Sequence, residues 1–349
     1  MLKRKKISGL DSQELATALH FVKQWRAKLE EEADASPDAA TDDGIDIDAV
    51  DTFVSLMESR LSATKASTHF LFLTSQLTVS QGMGFSSIDT KILARADIVL
   101  AGDLSAKDPS TFAIRERIAQ ENAAGAEHLM SAQNLHTKLD FLLQHTMHHS
   151  EASARLWIDS FLFRITAMIQ TDKQLVIGLE VFAAPEVITT TPPTIAIGGH
   201  VDYVLFFVDK RAAPRMLDAV NLESALRNKA QAVHGLFVAE AKGESHMLGT
   251  HVPQAVVEMQ ACARRLKSTY IRGALTNGTS WIFLLLELDT SFLVGRYWES
   301  ARQDVVIQSS GDRRWVDKES VDRMAALLAH WVKHCAEDLT EDDWFEKLL

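Results

Sequence analysis

The chain has 349 residues, 46% hydrophobic and 24% charged, the balance of an ordinary globular protein long enough for two domains or one elaborated domain. Its formal net charge of −11 argues against a protein that holds nucleic acid by bulk electrostatics alone, and leaves room for a local basic patch. Two cysteines, Cys262 and Cys335, offer no disulfide framework and suit a reducing compartment. No apolar segment follows the basic start Lys3 to Lys6, and the longest apolar runs, such as Ile282 to Leu286, are too short to span a bilayer. The expectation is an intracellular protein, nuclear or cytoplasmic, with no membrane partner. Lys3 to Lys6 reads either as a nuclear address or as a solvated end.

In chain order, Ser12 to Glu32 has apolar residues at helical spacing (Leu15, Leu19, Val22, Trp25, Leu29). Ala33 to Asp48 is rich in Asp and Ala, carries Pro37 and reads as an acidic linker. Ala49 to Ala66 is a second helix; Phe70 to Leu77 is a strand or a buried helical turn. Gly82 to Ser87 is a turn, Ile88 to Leu104 is undecided, and Ala106 to Thr146 is largely helical. Residues 1–143 are thus expected to be a mainly helical N-terminal region, with its linker at 33–48, offering a surface for a protein partner. From Ser150 the character changes. Glu151 to Ile169 is an amphipathic helix interrupted by Arg155, Asp159 and Arg164. Leu175 to Phe182 is a strand, Thr189 to Gly199 a loop, and Met216 to Lys229 a helix between two central strands. Pro253 to Lys267 is a helix with Pro in its first turn. Ile271 to Thr276 and Trp281 to Leu288 flank Asn277-Gly278 as a β-hairpin. Val305 to Gln308 adds an edge strand, Lys318 to Leu339 is an amphipathic helix, and the residues from Glu341 form an acidic tail. The central domain is expected at 144–310, with the C-terminal helix and tail at 311–349.

The two central strands lie in GHVDYVLFFVD (Gly199–Asp209) and GLFVAEAKGE (Gly235–Glu244). Asp202 sits at the head of the first; Glu240 and Lys242 end the second and point to one face, because strand side chains alternate. Charges rarely sit on core strands unless they are paired or bind a metal. Glu-x-Lys by itself is a weak signal, since a chain of this length holds about one by chance. The second such pattern, Asp89/Lys91, has no partnering acidic strand.

The order helix, strand, strand, helix, strand, helix, hairpin, with Asp on the second strand and Glu-x-Lys on the third, resembles the PD-(D/E)XK nuclease superfamily over about Glu151 to Leu288. VPQAVVEMQACARRL (Val252–Leu266) followed by IRGALTNGTSWIFLL (Ile271–Leu285) is similar to nuclease-like domains abundant in fungal genomes, some of them related to Crinkler-type effectors. The resemblance implies an α/β, restriction-endonuclease-like mixed sheet flanked by helices, with a helical N-terminal region. It implies a Mg²⁺- or Mn²⁺-dependent endo- or exodeoxyribonuclease whose partner is DNA, with RNA as the alternative substrate. Asp202 and Glu240 would hold the metal, and Lys242 would serve the attacking water and the phosphate charge. Glu151 matches the family's helical acid, as a further catalytic and metal residue, and Gln254 and Glu258 would give secondary support. The chain departs from the pattern at His200-Val201, where many members carry Pro before the Asp, and it lacks the helical Tyr of RecB-like members. The competing reading is a nuclease-like fold without catalysis, kept as a binding or effector module with Asp202, Glu240 and Lys242 as an ion-paired cluster.

Other features are weaker. Arg264, Arg265, Lys267 and Arg272 form a basic cluster suited to phosphate binding or to a solvated helix end. His145, His148 and His149 have Zn²⁺-compatible helical spacing, but no Cys or acidic set completes a site. His246 and His251 read as loop residues close to Glu240. There is no Walker-type loop, no His-Glu-x-x-His and no Gly-x-Ser-x-Gly.

Overall fold

The computed structural model describes residues 81–348, apart from 125–128, 148–149, 170–172, 190–193, 228–232 and 244–246. The helices, the acidic linker and the Phe70–Leu77 segment expected before residue 80 lie outside these residues, as do His148, His149 and His246. The first strand, β1 (Gln81–Gly84), leads to a short helix, α1 (Thr90–Arg95), capped by Asp89, which accepts from the Ile92 N–H. Strand β2 (Ile98–Ala106) follows, so the undecided stretch before Leu104 divides into helix and strand. Helices α2 (Phe112–Ala123), α3 (Ala132–His145) and α4 (Glu151–Met168) each start behind a hydroxyl cap: Thr111, Ser131 and Ser150 accept from N–H groups three residues on.

Two long strands come next, β3 (Lys173–Val187) and β4 (Ile195–Asp209). Two short helices, α5 (Ala213–Leu217) and α6 (Leu222–Arg227), stand where one helix over Met216 to Lys229 is expected. Strand β5 (Val233–Ala241) precedes α7 (Val252–Leu266), which ends with Lys267 in the left-handed conformation at φ 58°. The hairpin β6 (Tyr270–Thr276) and β7 (Ser280–Leu288) turns at Asn277-Gly278 as the sequence predicts. Then follow β8 (Gly295–Ser300), β9 (Gln303–Asp304), β10 (Ile307–Ser310), β11 (Arg313–Val316), α8 (Lys318–Lys333) and β12 (Phe345–Leu348).

The large mixed sheet has the order β1-β4-β5-β6-β7-β8-β2-β12. Strand β3 runs antiparallel along β4 from Lys173↔Asp209 to Val187↔Ala196. Residues Ala196 and Ile197 of β4 pair with both β3 and β1, so β1 continues the edge of β4 that β5 occupies further along. Strand β1 is parallel to β4, β5 to β6 and β8 to β2; the other pairings of this sheet are antiparallel. Helices cover both faces. Leu284 and Leu286 of β7 pack in one core with Val256, Met259 and Cys262 of α7, together with Leu93, Met216 and Leu222. The alternating Trp281, Phe283 and Leu285 pack in the other core with Trp157, Ile158 and Phe161 of α4 and Leu328, Trp331 and Val332 of α8. A strand buried on both faces explains why β7 is a nearly unbroken apolar run.

The compact unit runs from Ser80 to Leu349, so the boundary expected at residue 143 is not one: β1 and β2, which precede it, belong to the central sheet. Ile307 and Gln308 pair with β11 in a separate two-stranded sheet, and do not extend the large one. The expected acidic tail is instead β12, paired with β2, with Trp344 and Phe345 buried because their rings complete the second core. Among the described residues, no helix is long and apolar enough to cross a membrane.

Candidate functional site

The backbone pairing of β4 with β5 is regular from Phe207↔Gly235 to Tyr203↔Ala239, after a register shift between Phe207 and Val208. One step further, Asp202 would face Glu240, and there the ladder stops. The side chain of Asp202 takes over: its Oδ2 accepts the Ala241 N–H at 2.9 Å. Strand β5 stays fixed on its other side, where the Lys242 N–H donates to the Thr276 carbonyl at 2.8 Å. The two strands therefore part at the point where the sequence places Asp202, Glu240 and Lys242, and their charged side chains gather at that opening.

Glu240 is only 2% exposed. Its Oε1 receives the Lys242 ammonium at 2.5 Å and the Gln254 amide at 2.6 Å. The same Gln254 nitrogen donates to Glu258 Oε1 at 2.9 Å, so one amide ties two carboxyl groups together. Gln254 and Glu258 lie one helical turn apart on the face of α7 that packs on the sheet. Burial, and then the charge of Asp202, push the Glu240 acid up to about 7 against the pull of Lys242. Burial, and then the neighbouring Glu240, push the fully buried Glu258 acid well above the carboxylate range. Burial works against the Lys242 ammonium, but Glu240, with Asp202 and Glu151, outweighs it and raises its pKa.

A second set of contacts enters from α4. Arg155 donates from Nη2 to Asp202 Oδ1 at 2.7 Å and to Glu151 Oε1 at 3.0 Å, and from Nη1 to Glu180 Oε1 at 2.6 Å. Burial disfavours the guanidinium, but the three carboxylates outweigh it and raise its pKa. Glu180 sits within β3 at φ 48°, a left-handed conformation that costs a residue with a side chain about 1–2 kcal/mol. One turn along α4, Asp159 accepts the Tyr203 hydroxyl at 2.9 Å and anchors the helix to β4. Side-chain exposure rises outward, from 14% at Asp202 to 26% at Arg155, 47% at Glu151 and 64% at Glu180, so the cluster opens from the core to solvent.

The sequence-derived residues Asp202, Glu240, Lys242, Glu151, Gln254 and Glu258 thus come together. Arg155 and Glu180 join them without having been singled out as site residues; their signal was a charge four residues after Glu151 on an apolar helix and a lone acid inside an apolar strand. The basic cluster does not join. Arg264 and Arg265 are at the far end of α7, paired with Glu186 and, for Arg265, Glu223. Lys267 caps that helix end in its left-handed conformation. Arg272 is fully buried against Asp343 at 2.6 Å, which corrects its reading as a phosphate contact: an enclosed, neutralised guanidinium cannot meet a nucleic-acid backbone.

Among the described residues, no group of three or more His, Cys, Asp or Glu side chains converges to hold a metal ion. The donor set still suits a hard divalent cation, because Mg²⁺ takes one or two carboxylates and keeps several waters. The carboxyl groups of Glu151, Glu180, Asp202 and Glu240 gather with the cations Arg155 and Lys242, and Asp202 and Glu240 meet at the strand opening. No known family model matches the chain, and no curated protein matches it.

Proposed function

We propose that the chain is a divalent-metal-dependent nuclease of PD-(D/E)XK type that hydrolyses DNA phosphodiester bonds. One observation carries this reading: a buried Glu240–Lys242 pair at the end of a strand, beside Asp202, where the β4–β5 ladder opens. The arrangement around it supports the resemblance. Helix α4 precedes the antiparallel β3–β4–β5 meander, and α7 then returns the chain to β6, parallel to β5. In this reading Asp202 and Glu240 hold Mg²⁺ or Mn²⁺, which when bound supplies a Lewis acid for a phosphoryl oxygen and a water made acidic. Gln254 fixes the rotamer of Glu240 through a 2.6 Å bond, so the carboxylate need not reorganise during reaction. Lys242 brings its ammonium to the same opening, where it orients the attacking water and meets charge building on the phosphate. Glu151, the more exposed acid, assists at the rim.

The internal pairing of Asp202 with Arg155 favours a second reading, a nuclease-like module that binds a partner and does not cleave. One assay separates the two: plasmid, linear and single-stranded DNA, with RNA in parallel, incubated with Mg²⁺ or Mn²⁺ and native, Glu240→Ala or Lys242→Ala protein. Cleavage that requires the metal and falls at least about 100-fold in either variant is expected. Full activity in a folded variant, or no cleavage by the native protein, overturns the nuclease reading.

A further inference from the structure

We propose that Arg155 is the built-in counter-cation of the site: its guanidinium holds Asp202 Oδ1 in the metal-free protein and retreats onto Glu151 and Glu180 as a divalent cation binds. This rests on the nuclease reading only in taking Asp202 as a metal ligand. Asp202 has both oxygens engaged, Oδ2 by the Ala241 N–H and Oδ1 by Arg155 at 2.7 Å. The Oδ2 bond is part of the strand geometry and survives metal binding. The Oδ1 bond does not survive it easily. A cation bound to that oxygen at about 2 Å comes within a few ångströms of the guanidinium, where like charges repel strongly in a half-buried site.

The retreat is already in place. Arg155 keeps Glu151 at 3.0 Å and Glu180 at 2.6 Å, so leaving Asp202 forfeits one of three ion pairs. Those two acids are the most exposed of the cluster, which puts the retreat on the solvent side and away from Glu240. The buried Nε–H of Arg155 makes no hydrogen bond, so the guanidinium is not in a fully satisfied seat. Glu180 holds its left-handed backbone within β3 while its carboxylate meets Nη1. That is a local strain maintained on the side to which the arginine withdraws.

The test is a MnCl2 titration of melting temperature for native protein, Arg155→Gln and Arg155→Lys, without substrate. Arg155→Gln removes the competing charge and is expected to lower the half-saturating Mn²⁺ concentration by roughly tenfold or more. Arg155→Lys keeps the charge on a single nitrogen and should lower the value less than Arg155→Gln does. An equal or higher concentration for Arg155→Gln, with a normal shift in native protein, overturns the counter-cation role and leaves the metal site standing. No Mn²⁺ shift in either protein overturns both. Should Arg155→Gln not fold, Glu180→Gln supplies the same test from the other side: with one retreat removed, half-saturation should rise several-fold, and an unchanged value overturns the proposal.

Discussion

Arg272 shows how a charge is accommodated in this core. Its guanidinium meets Asp343 through two nitrogens, at 2.6 and 3.2 Å, donates to the carbonyls of Glu337 and Asp338, and lies 4.5 Å from the centre of the Trp331 ring. His330 adds a bond to Asp343 at 3.0 Å. Burial works against the Asp343 carboxylate, but the bonds from His330 and Arg272 outweigh it and hold its acid well below the usual range. Burial likewise keeps His330 below its usual 6.5, and Asp343 only partly offsets this. Both groups bind protons more weakly folded than unfolded, so the stability each supplies is present above its unfolded pKa and is lost as pH falls toward the folded value. For His330 the loss starts below 6.5, and for Asp343 below 3.8. Glu240 and Glu258, whose acids are raised, gain stability as pH falls and oppose the His330 loss. The resolved lower stage is therefore that of Asp343, a fall in melting temperature below pH 3.8. Asp343→Asn should be about 3–5 kcal/mol less stable at neutral pH and lose the lower stage, because it strands a buried guanidinium. A variant as stable as the native protein would contradict this account. The acids of the candidate site were legible because charge is conspicuous on an apolar strand. Arg155 and Glu180 were not, since each is an ordinary charge until the fold sets it opposite Asp202. Arg272 was misread because nothing in its neighbours announces that Asp343, 71 residues away, encloses it.

At the scale of elements, the β6–β7 turn couples the sheet to α4. Gly278 has φ 90°, and a Cβ there would lie 2.7 Å from Trp157 Cβ and 2.8 Å from the Ala154 carbonyl oxygen. Gly278→Ala must push the hairpin off the helix that carries Glu151 and Arg155. We expect a loss of about 1–3 kcal/mol in urea unfolding, together with a changed Mn²⁺ thermal shift; an unchanged unfolding midpoint would mean that the turn and α4 do not bear on each other. Local elements such as this hairpin, α7 and the cores of β4 and β5 were readable because their signals lie within a few residues: Asn-Gly, Pro in a first turn, Gly-bounded apolar runs. The outer half of β3 was not. Residues from Ala183 to Val187 are strand because β4 continues beside them, across a register shift between Ala183 and Glu186. The single helix expected after β4 is broken into α5 and α6, and Asn221 caps the second by accepting the Ser224 N–H at 2.7 Å.

For the molecule as a whole, the mixed sheet between two helical layers was legible as a class, while its extent was not, because pairing between distant segments leaves no periodicity in either. Strand β2 is the clearest case. Its partner β8 starts at Gly295 opposite Ile98, and its other edge is closed only by β12, in the register Phe345↔Ala106. During synthesis or refolding β2 therefore emerges early and waits for nearly the whole unit before either neighbour exists. It carries the apolar Val99 and Leu100, both still about half exposed after folding. An early strand with two open edges and apolar side chains is a template for intermolecular pairing. Refolding by dilution from denaturant should accordingly be slow and lose yield as protein concentration rises, more so when residues 344–349 are deleted. A yield independent of concentration in both proteins, followed by light scattering, would exclude this. The price of closing a sheet with a strand about 240 residues further on is a vulnerable interval before the fold exists, and it falls on a segment far from the candidate site.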